Sequence, residues 1–118
     1  MQTMTRATSA YQQAAGHRSL REQEADIFHQ ATGALRAARA GQSIERARAI
    51  ADNRRLWLTV NDLMSDPANA LPTDLRASIA SVGISVRREM ESAHPDFDFL
   101  IAINEHMAAG LARSGLNE

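Results

Sequence analysis

The side chains that could carry out acid–base or metal chemistry are scattered along this chain. The four histidines are His17, His29, His94 and His106. No two of them have the spacing that places ligands on one helical face, as in HExxH. The chain has no cysteine, which excludes thiolate metal sites, disulfides and cysteine nucleophiles. We therefore expect no catalytic residue, no metal ligand and no cofactor, and we predict that the protein is not an enzyme.

Buried hydrogen bonding is indicated instead, by polar residues that fall inside apolar helical faces. At about 100° of turn per residue, these residues are Glu24, Asn53, Arg54, Asn61 and Asn104. A buried polar group is costly unless it is paired, so the pattern predicts a network that holds the helices in register. Glu24 and Arg54 would form its ionic centre, with Asn53 and Asn104 satisfying the remaining donors and acceptors. An open alternative is that some of these side chains line a groove for a partner helix.

The predicted ion pair has a measurable consequence. If Glu24 and Arg54 are buried together, Arg54→Ala should cost about 3–5 kcal/mol of stability. Arg54 belongs to the run NRRLW at residues 53–57, which contains the single tryptophan. Trp57 shares the inward-facing arc of this helix, whereas Arg55 is predicted to face solvent.

The polar and apolar side chains described above are predicted to lie on helices. Apolar residues recur at helical spacing, and no useful run alternates with the period of two that is typical of a strand. The predicted helices cover about residues 20–40, 43–64, 73–93 and 96–112. The second is apolar around most of its circumference, which predicts a central position. Short connections favour antiparallel packing, so we expect an all-α bundle of four main helices. Residues 1–16 are predicted to be a weakly ordered helical or mobile segment, and residues 113–118 a frayed tail.

The helix ends are indicated by capping residues. Ser19 with Glu22 has capping-box spacing, and Ser43 and Asp96 are placed to cap the second and fourth helices. Gly83, inside the third helix, costs about 1 kcal/mol of helix propensity. We therefore expect a neighbouring backbone to approach closely at this glycine.

Length and charge limit the remaining classes of function. The chain has 118 residues, 44% of them hydrophobic, and a net charge of -1, which suits one domain and gives little support to direct nucleic-acid binding. No apolar run approaches the roughly 20 residues that span a bilayer. The N-terminus lacks the pattern of a secretory signal. We expect a soluble cytoplasmic protein without membrane contact.

Several short motifs occur together in this chain. They are Tyr11-Gln12, the run from Arg21 through Glu24 to Phe28, NRRLW at 53–57, LPTDLRA at 71–77, and LIAIN at 100–104 continuing to Gly110-Leu111. In this order and spacing, over about residues 10–111, the chain resembles the flagellar biosynthesis regulator family FlaF. Residues 82–86 (VGISV) depart from the family pattern, in which a Leu and a Trp often precede the final Val.

The resemblance implies a small cytoplasmic helical protein that is needed for flagellum assembly and has no cofactor. It implies action on flagellin, as a flagellin-binding export chaperone that also promotes flagellin production. The alternative is a post-transcriptional regulator that works with FlbT or mRNA, without a chaperone role. A purely structural dimer module is a third possibility.

Candidate partner-binding residues follow from the flagellin interpretation. The amphipathic ends of flagellin suit a hydrophobic groove in a helical bundle, and the candidates for contacting them are Tyr11, Trp57 and Asn104. Tyr11 either belongs to a lid or groove wall formed by the N-terminal segment, or it simply packs on the bundle.

Overall fold

The computed structural model describes residues 25–116, with side chains described for residues 25–110. Within this part of the chain, every regular element is an α-helix. The helices are α1 (residues 25–38), α2 (Ser43–Ser65), α3 (Thr73–Glu91) and α4 (Phe97–Leu116). They pack against one another as a four-helix bundle, which confirms the predicted fold class. The predictions for residues 1–16 and for the Ser19–Glu22 capping box lie outside the described residues.

The starts of α2 and α4 are capped differently. The N-cap of α2 is Gln42, which makes no side-chain cap bond, so the prediction that Ser43 caps this helix is wrong by one residue. The Arg46 backbone N–H donates to the Gln42 carbonyl at 3.0 Å, which already includes Ser43 in the first turn. Asp96 does cap α4, because its Oδ1 accepts a hydrogen bond from the Phe99 backbone N–H at 3.1 Å.

The ends of α3 and α4 also differ from the sequence-based boundaries. α3 ends at Glu91 rather than 93. The Ser92 hydroxyl and backbone N–H both donate to the Glu89 carbonyl, at 2.8 and 3.2 Å, and close the last turn there. α4 continues to Leu116, beyond its predicted end at 112.

The connection between α2 and α3 is held by two side chains that hydrogen-bond to nearby backbone. Asp66 Oδ1 accepts from the Ala68 N–H and Asn69 Oδ1 accepts from the Leu71 N–H, each at 2.9 Å. The Asn69 amide also donates to the Leu63 carbonyl at 2.7 Å. These local bonds let the chain reverse direction within a few residues, so α3 returns antiparallel along α2.

Ion pairs on the surface show how α1 runs relative to α4. Arg39 pairs with Asp98 at 2.6 Å, and Arg36 pairs with Glu105. Arg36 near the end of α1 thus meets the middle of α4, while Arg39, just after α1, meets the start of α4, so the two helices are antiparallel. All four side chains are at least half exposed, so each pair contributes at most about 1 kcal/mol to stability.

Trp57 lies where the helices meet. Its ring contacts Phe28 of α1 edge-to-face, with centroids 6.1 Å apart and planes at 86°. Its indole N–H bonds to Asn104 of α4, and its six-membered ring faces Gly83 of α3. Around it, the buried apolar side chains from all four helices are Phe28, Ala31, Leu35, Ala38, Ala49, Ile50, Leu56, Val60, Val86, Met90, Phe97, Leu100, Ile101 and Ala108.

The close approach expected at Gly83 is made by a side chain rather than by a backbone. A Cβ at this position would lie 3.5 Å from Trp57 Cε3, which is an ordinary van der Waals distance. We expect Gly83→Ala to raise the free energy of unfolding by about 0.5–1 kcal/mol, because the helix gains propensity without a clash. Chemical denaturation of the full chain measures this change.

The matched control for this substitution is Gly33→Ala in α1. Its Cβ would have no heavy atom within 4 Å, so it reports helix propensity without any new contact. A loss of stability in Gly83→Ala, with a gain in Gly33→Ala, would mean that α3 cannot accommodate a methyl group against the indole.

Candidate partner-binding groove

A chain of buried hydrogen bonds runs from α2 to α4, returns to α2 and continues to α3. The Trp57 Nε1–H donates to Asn104 Oδ1 at 3.0 Å. The Asn104 amide donates to Asn53 Oδ1 at 2.7 Å, and the Asn53 amide faces Met90 Sδ at 3.4 Å. Asn53 and Asn104 are completely buried. Throughout the described part of the chain, every buried side-chain nitrogen and oxygen has a partner.

The indole sets the orientation of each amide in this chain. Because an indole N–H can only donate, Asn104 must turn its oxygen towards Trp57. Its nitrogen is then left to donate to the oxygen of Asn53. The Asn53 nitrogen consequently faces Met90, whose thioether is a weak acceptor. A unique arrangement follows, which fixes the register of α2 against α4.

The predicted ionic centre of this network requires a correction. Arg54 is exposed, as is Asn61, so neither side chain points into the core. The helical wheel failed here because α2 is apolar around most of its circumference, although not all of that surface is buried. Leu58, for example, is 52% exposed. The true buried face of α2 centres on Asn53, Trp57 and Val60, and Arg54 lies beside it. Glu24 lies outside the described residues.

The predicted partner-binding side chains are also placed differently from the expectation. Trp57 is 4% exposed and Asn104 is completely buried, and they bond to each other. A partner that docks on the surface of this bundle therefore does not reach them, and in this structure they hold the helices together. Tyr11 lies outside the described residues.

The exposed position of Arg54 changes the mutational expectation made from the sequence. We now expect Arg54→Ala to alter the free energy of unfolding by less than about 0.5 kcal/mol. The neighbouring Asn53→Ala should cost about 1–3 kcal/mol or more, because it leaves Asn104 without a buried acceptor. Urea titrations of the two variants measure both values, and a large loss for Arg54→Ala would contradict its exposed placement.

The coupling between the indole and the amides can be measured with a double-mutant cycle. Trp57→Phe removes the donor to Asn104. Asn104→Leu leaves both the Trp57 N–H and the Asn53 oxygen without a hydrogen-bond partner. Each single change should cost more than about 1 kcal/mol. The double variant should cost less than the sum by about 0.5–3 kcal/mol, since it removes donor and acceptor together. Strict additivity would show that the hydrogen bond contributes nothing to stability.

An open apolar groove lies at the end of the bundle where α2 ends and α3 begins. Its volume is about 540 Å³. Asp66, Asn69 and His106 are its polar members, and its apolar lining comes from all four helices and the α2–α3 connection. The apolar lining residues are Phe28, Val60, Leu63, Met64, Ala68, Leu71, Leu75, Ile79, Met107 and Gly110.

The LPTDLRA motif at 71–77 builds one wall of this groove. Leu71 and Leu75 line it, and Pro72 between them is the N-cap of α3. Arg76 points back to α2, where its Nε–H donates to the Met64 carbonyl at 3.2 Å. The motif thus joins the start of α3 to the end of α2 and leaves two leucines facing the groove.

The sequence predicted a hydrophobic groove but did not identify its lining residues, because they look like core residues. Leu63 and Leu75 are apolar residues inside helices, and their sequence context does not distinguish them from covered core residues. The structure leaves them 39% and 44% exposed. The available signal was the pair of leucines on either side of a helix start, because such residues lie at the end of a bundle where fewer helices surround them.

A second, smaller depression lies between α1 and α2 and differs in character. Its volume is about 300 Å³, and much of its lining is polar, with Gln30, Asp52, Arg55 and Thr59. Ile27 and Leu56 are among the apolar side chains that it offers. The groove at the end of the bundle is therefore the better candidate for an apolar ligand surface.

These features define a small all-α bundle with a chain of hydrogen-bonded side chains in its core and an apolar groove at one end. Among the described helices, none combines the length and hydropathy needed to cross a membrane. The residues that the structure describes contain no group of three His, Asp or Glu side chains arranged to hold a metal ion.

This bundle belongs to the FlaF family. The family model described as flagellar protein FlaF matches residues 7–111, which confirms the resemblance seen in the motifs. Membership implies a role in flagellum biogenesis or its regulation. No curated protein and no solved structure matches the chain.

Proposed function

We propose that this protein binds flagellin by holding an amphipathic segment of it in the groove at the end of the bundle. In this role it acts as an export chaperone that also promotes flagellin production, and it works by binding rather than by catalysis. The observation that carries the proposal is the open apolar groove, about 540 Å³ in volume, on a protein of a flagellar family.

The shape and lining of the groove favour a helix as its occupant. Amphipathic helices bind grooves by inserting apolar side chains spaced three or four residues apart. Leucine and methionine side chains from α2, α3 and α4 line the groove, and flexible Met side chains adapt to irregular apolar surfaces. Asp66, Asn69 and His106 supply polar groups that can orient such a helix.

Binding of this kind has a physical benefit for a filament subunit. The terminal segments of flagellin are amphipathic and pack against other subunits in the filament. Before export, their apolar faces would associate prematurely, because burial of apolar area is favourable and non-directional. A groove that covers such a face keeps the subunit unassembled until a competing interaction displaces the flagellin segment from the groove.

Substitution of a groove residue tests the proposal. We expect Leu75→Gln to weaken flagellin binding by about tenfold or more, because it places an amide in the apolar surface that receives the helix. Leu75 is 44% exposed, so the fold should tolerate the change. Size-exclusion chromatography of the full chain with purified flagellin should show a stoichiometric complex, and titration calorimetry measures the affinities.

Ile44→Gln is the matched control for this experiment. Ile44 is 59% exposed, lies at the start of α2 and does not line the groove. Equal affinities for wild type and Leu75→Gln would remove the groove from the flagellin site. If flagellin does not bind at micromolar concentration while FlbT or flagellin mRNA does, the regulatory alternative replaces the chaperone role.

A further inference from the structure

Arg54, the first arginine of the NRRLW run, lies on a second surface, away from the groove. Asn53 and Trp57 of this run are buried, but Arg54 and the following Leu58 are exposed. On α2, Arg55 and Thr59 line the depression shared with α1. At about 100° of turn per residue, Arg54 and Leu58 therefore lie on the other flank of α2, beyond Asn53 and Trp57, which face α3.

The contacts between α2 and α3 show which residues of α3 lie beside them. Asn53 faces Met90, Trp57 faces Gly83, and Arg76 bonds to the Met64 carbonyl. In this antiparallel register, Ile84 lies at the level of Leu58. Arg87, one turn along α3, lies at the level of Arg54.

These four residues form what we call the α2–α3 seam: Arg54 and Leu58 on α2, with Ile84 and Arg87 on α3. Leu58 is 52% exposed and Ile84 is 48% exposed, and both arginines are exposed. Single exposed aliphatic residues are ordinary. By the register of α2 and α3, two of them lie at one level on neighbouring helices, with two arginines one turn away. None of the four lines the groove.

Charge complementarity indicates what this seam can bind. The seam places two positive charges at one level, and its nearest carboxylate along α3 is Glu91, one turn beyond Arg87. In the described part of the chain, the ion pairs are Arg36–Glu105 and Arg39–Asp98, so no ion pair within that part joins Glu91 to Arg87. A guanidinium forms its strongest contacts with carboxylates, often through two parallel hydrogen bonds.

We propose that the α2–α3 seam binds a second protein through an amphipathic helix that carries an aliphatic side chain and a carboxylate about one turn apart. The aliphatic side chain packs on Leu58 and Ile84, and the carboxylate pairs with Arg54 or Arg87. One helical turn rises about 5.4 Å, which matches the spacing between the apolar and basic levels of the seam. This partner is distinct from the occupant of the groove, so the protein can hold both at once.

Single-stranded nucleic acid fits the seam less well than an acidic helix. Proteins that bind it combine a basic groove with aromatic side chains on which bases stack. The seam has two arginines and no aromatic residue, and the whole chain has a net charge of -1. An oligonucleotide therefore serves as one arm of the test.

The test uses the full chain and three probes in fluorescence anisotropy. The first is a helical peptide of about 18 residues with Leu at a helical spacing and Glu one turn from each Leu. The second has Lys in place of each Glu, and the third is a single-stranded oligouridylate. We expect the Glu peptide to bind, and to bind at least about tenfold more tightly than the other two probes.

Charge reversals then locate the site on the surface. Arg54→Glu and Arg87→Glu should each weaken binding of the Glu peptide by about tenfold. Arg55→Glu is the matched control, because Arg55 is adjacent and exposed but lies on the α1 side of α2; it should leave binding unchanged. Amide chemical shifts of the wild-type chain provide a readout without any variant, and they should move at Leu58 and Ile84 rather than at Leu71 and Leu75.

Several results would overturn the proposal that the seam binds an acidic helix. These are no binding of the Glu peptide at millimolar concentration, equal binding of the Lys peptide, an Arg55→Glu effect as large as that of Arg54→Glu, or shift changes confined to the groove. Binding of oligouridylate alone would assign the seam to nucleic acid instead. Flagellin binding by Arg54→Glu is measured in parallel and should remain at the wild-type level, so the two sites succeed or fail separately.

Discussion

The fold depends on satisfying one buried hydrogen-bond donor, the indole N–H of Trp57. At the centre of the bundle no water reaches this group, and an unpaired buried donor would cost about 1–3 kcal/mol. Asn104 of α4 accepts this bond through its amide oxygen. Its amide nitrogen must then find an acceptor, which is Asn53, and the Asn53 amide nitrogen in turn faces Met90 of α3. A sliding of any one of these helices would leave a buried polar group without its partner, so the chain selects one register.

The family motifs are divided between the core of the bundle and the groove at its end. NRRLW and LIAIN place Asn53, Trp57 and Asn104 in the core, where they determine how the helices meet. LPTDLRA lies at the end of the bundle and contributes Leu71 and Leu75 to the groove. Changes in the core motifs should therefore act on folding, whereas under the proposed function changes at the groove act on binding while the fold persists.

Sequence reasoning was most successful where the signal was local. The stripes of apolar residues gave the helices to within a few residues, and Asp96 was identified as a cap because capping involves neighbours in the chain. It was least successful at the edge of the apolar arc of α2. Arg54 and Leu58 both fall near this edge, and a helical wheel has no means of deciding which of two adjacent positions the neighbouring helix covers.

The sequence alone determined the fold class, the approximate helices, the family and the presence of polar residues on apolar faces, because each of these depends on spacing along one helix. Only the tertiary structure decided that the Asn104 amide donates directly to Asn53, and that Arg54 is exposed. It also decided that Leu63 and Leu75 border an open groove. The physical reason is that burial is a property of what surrounds a side chain, and those surroundings come from distant parts of the chain.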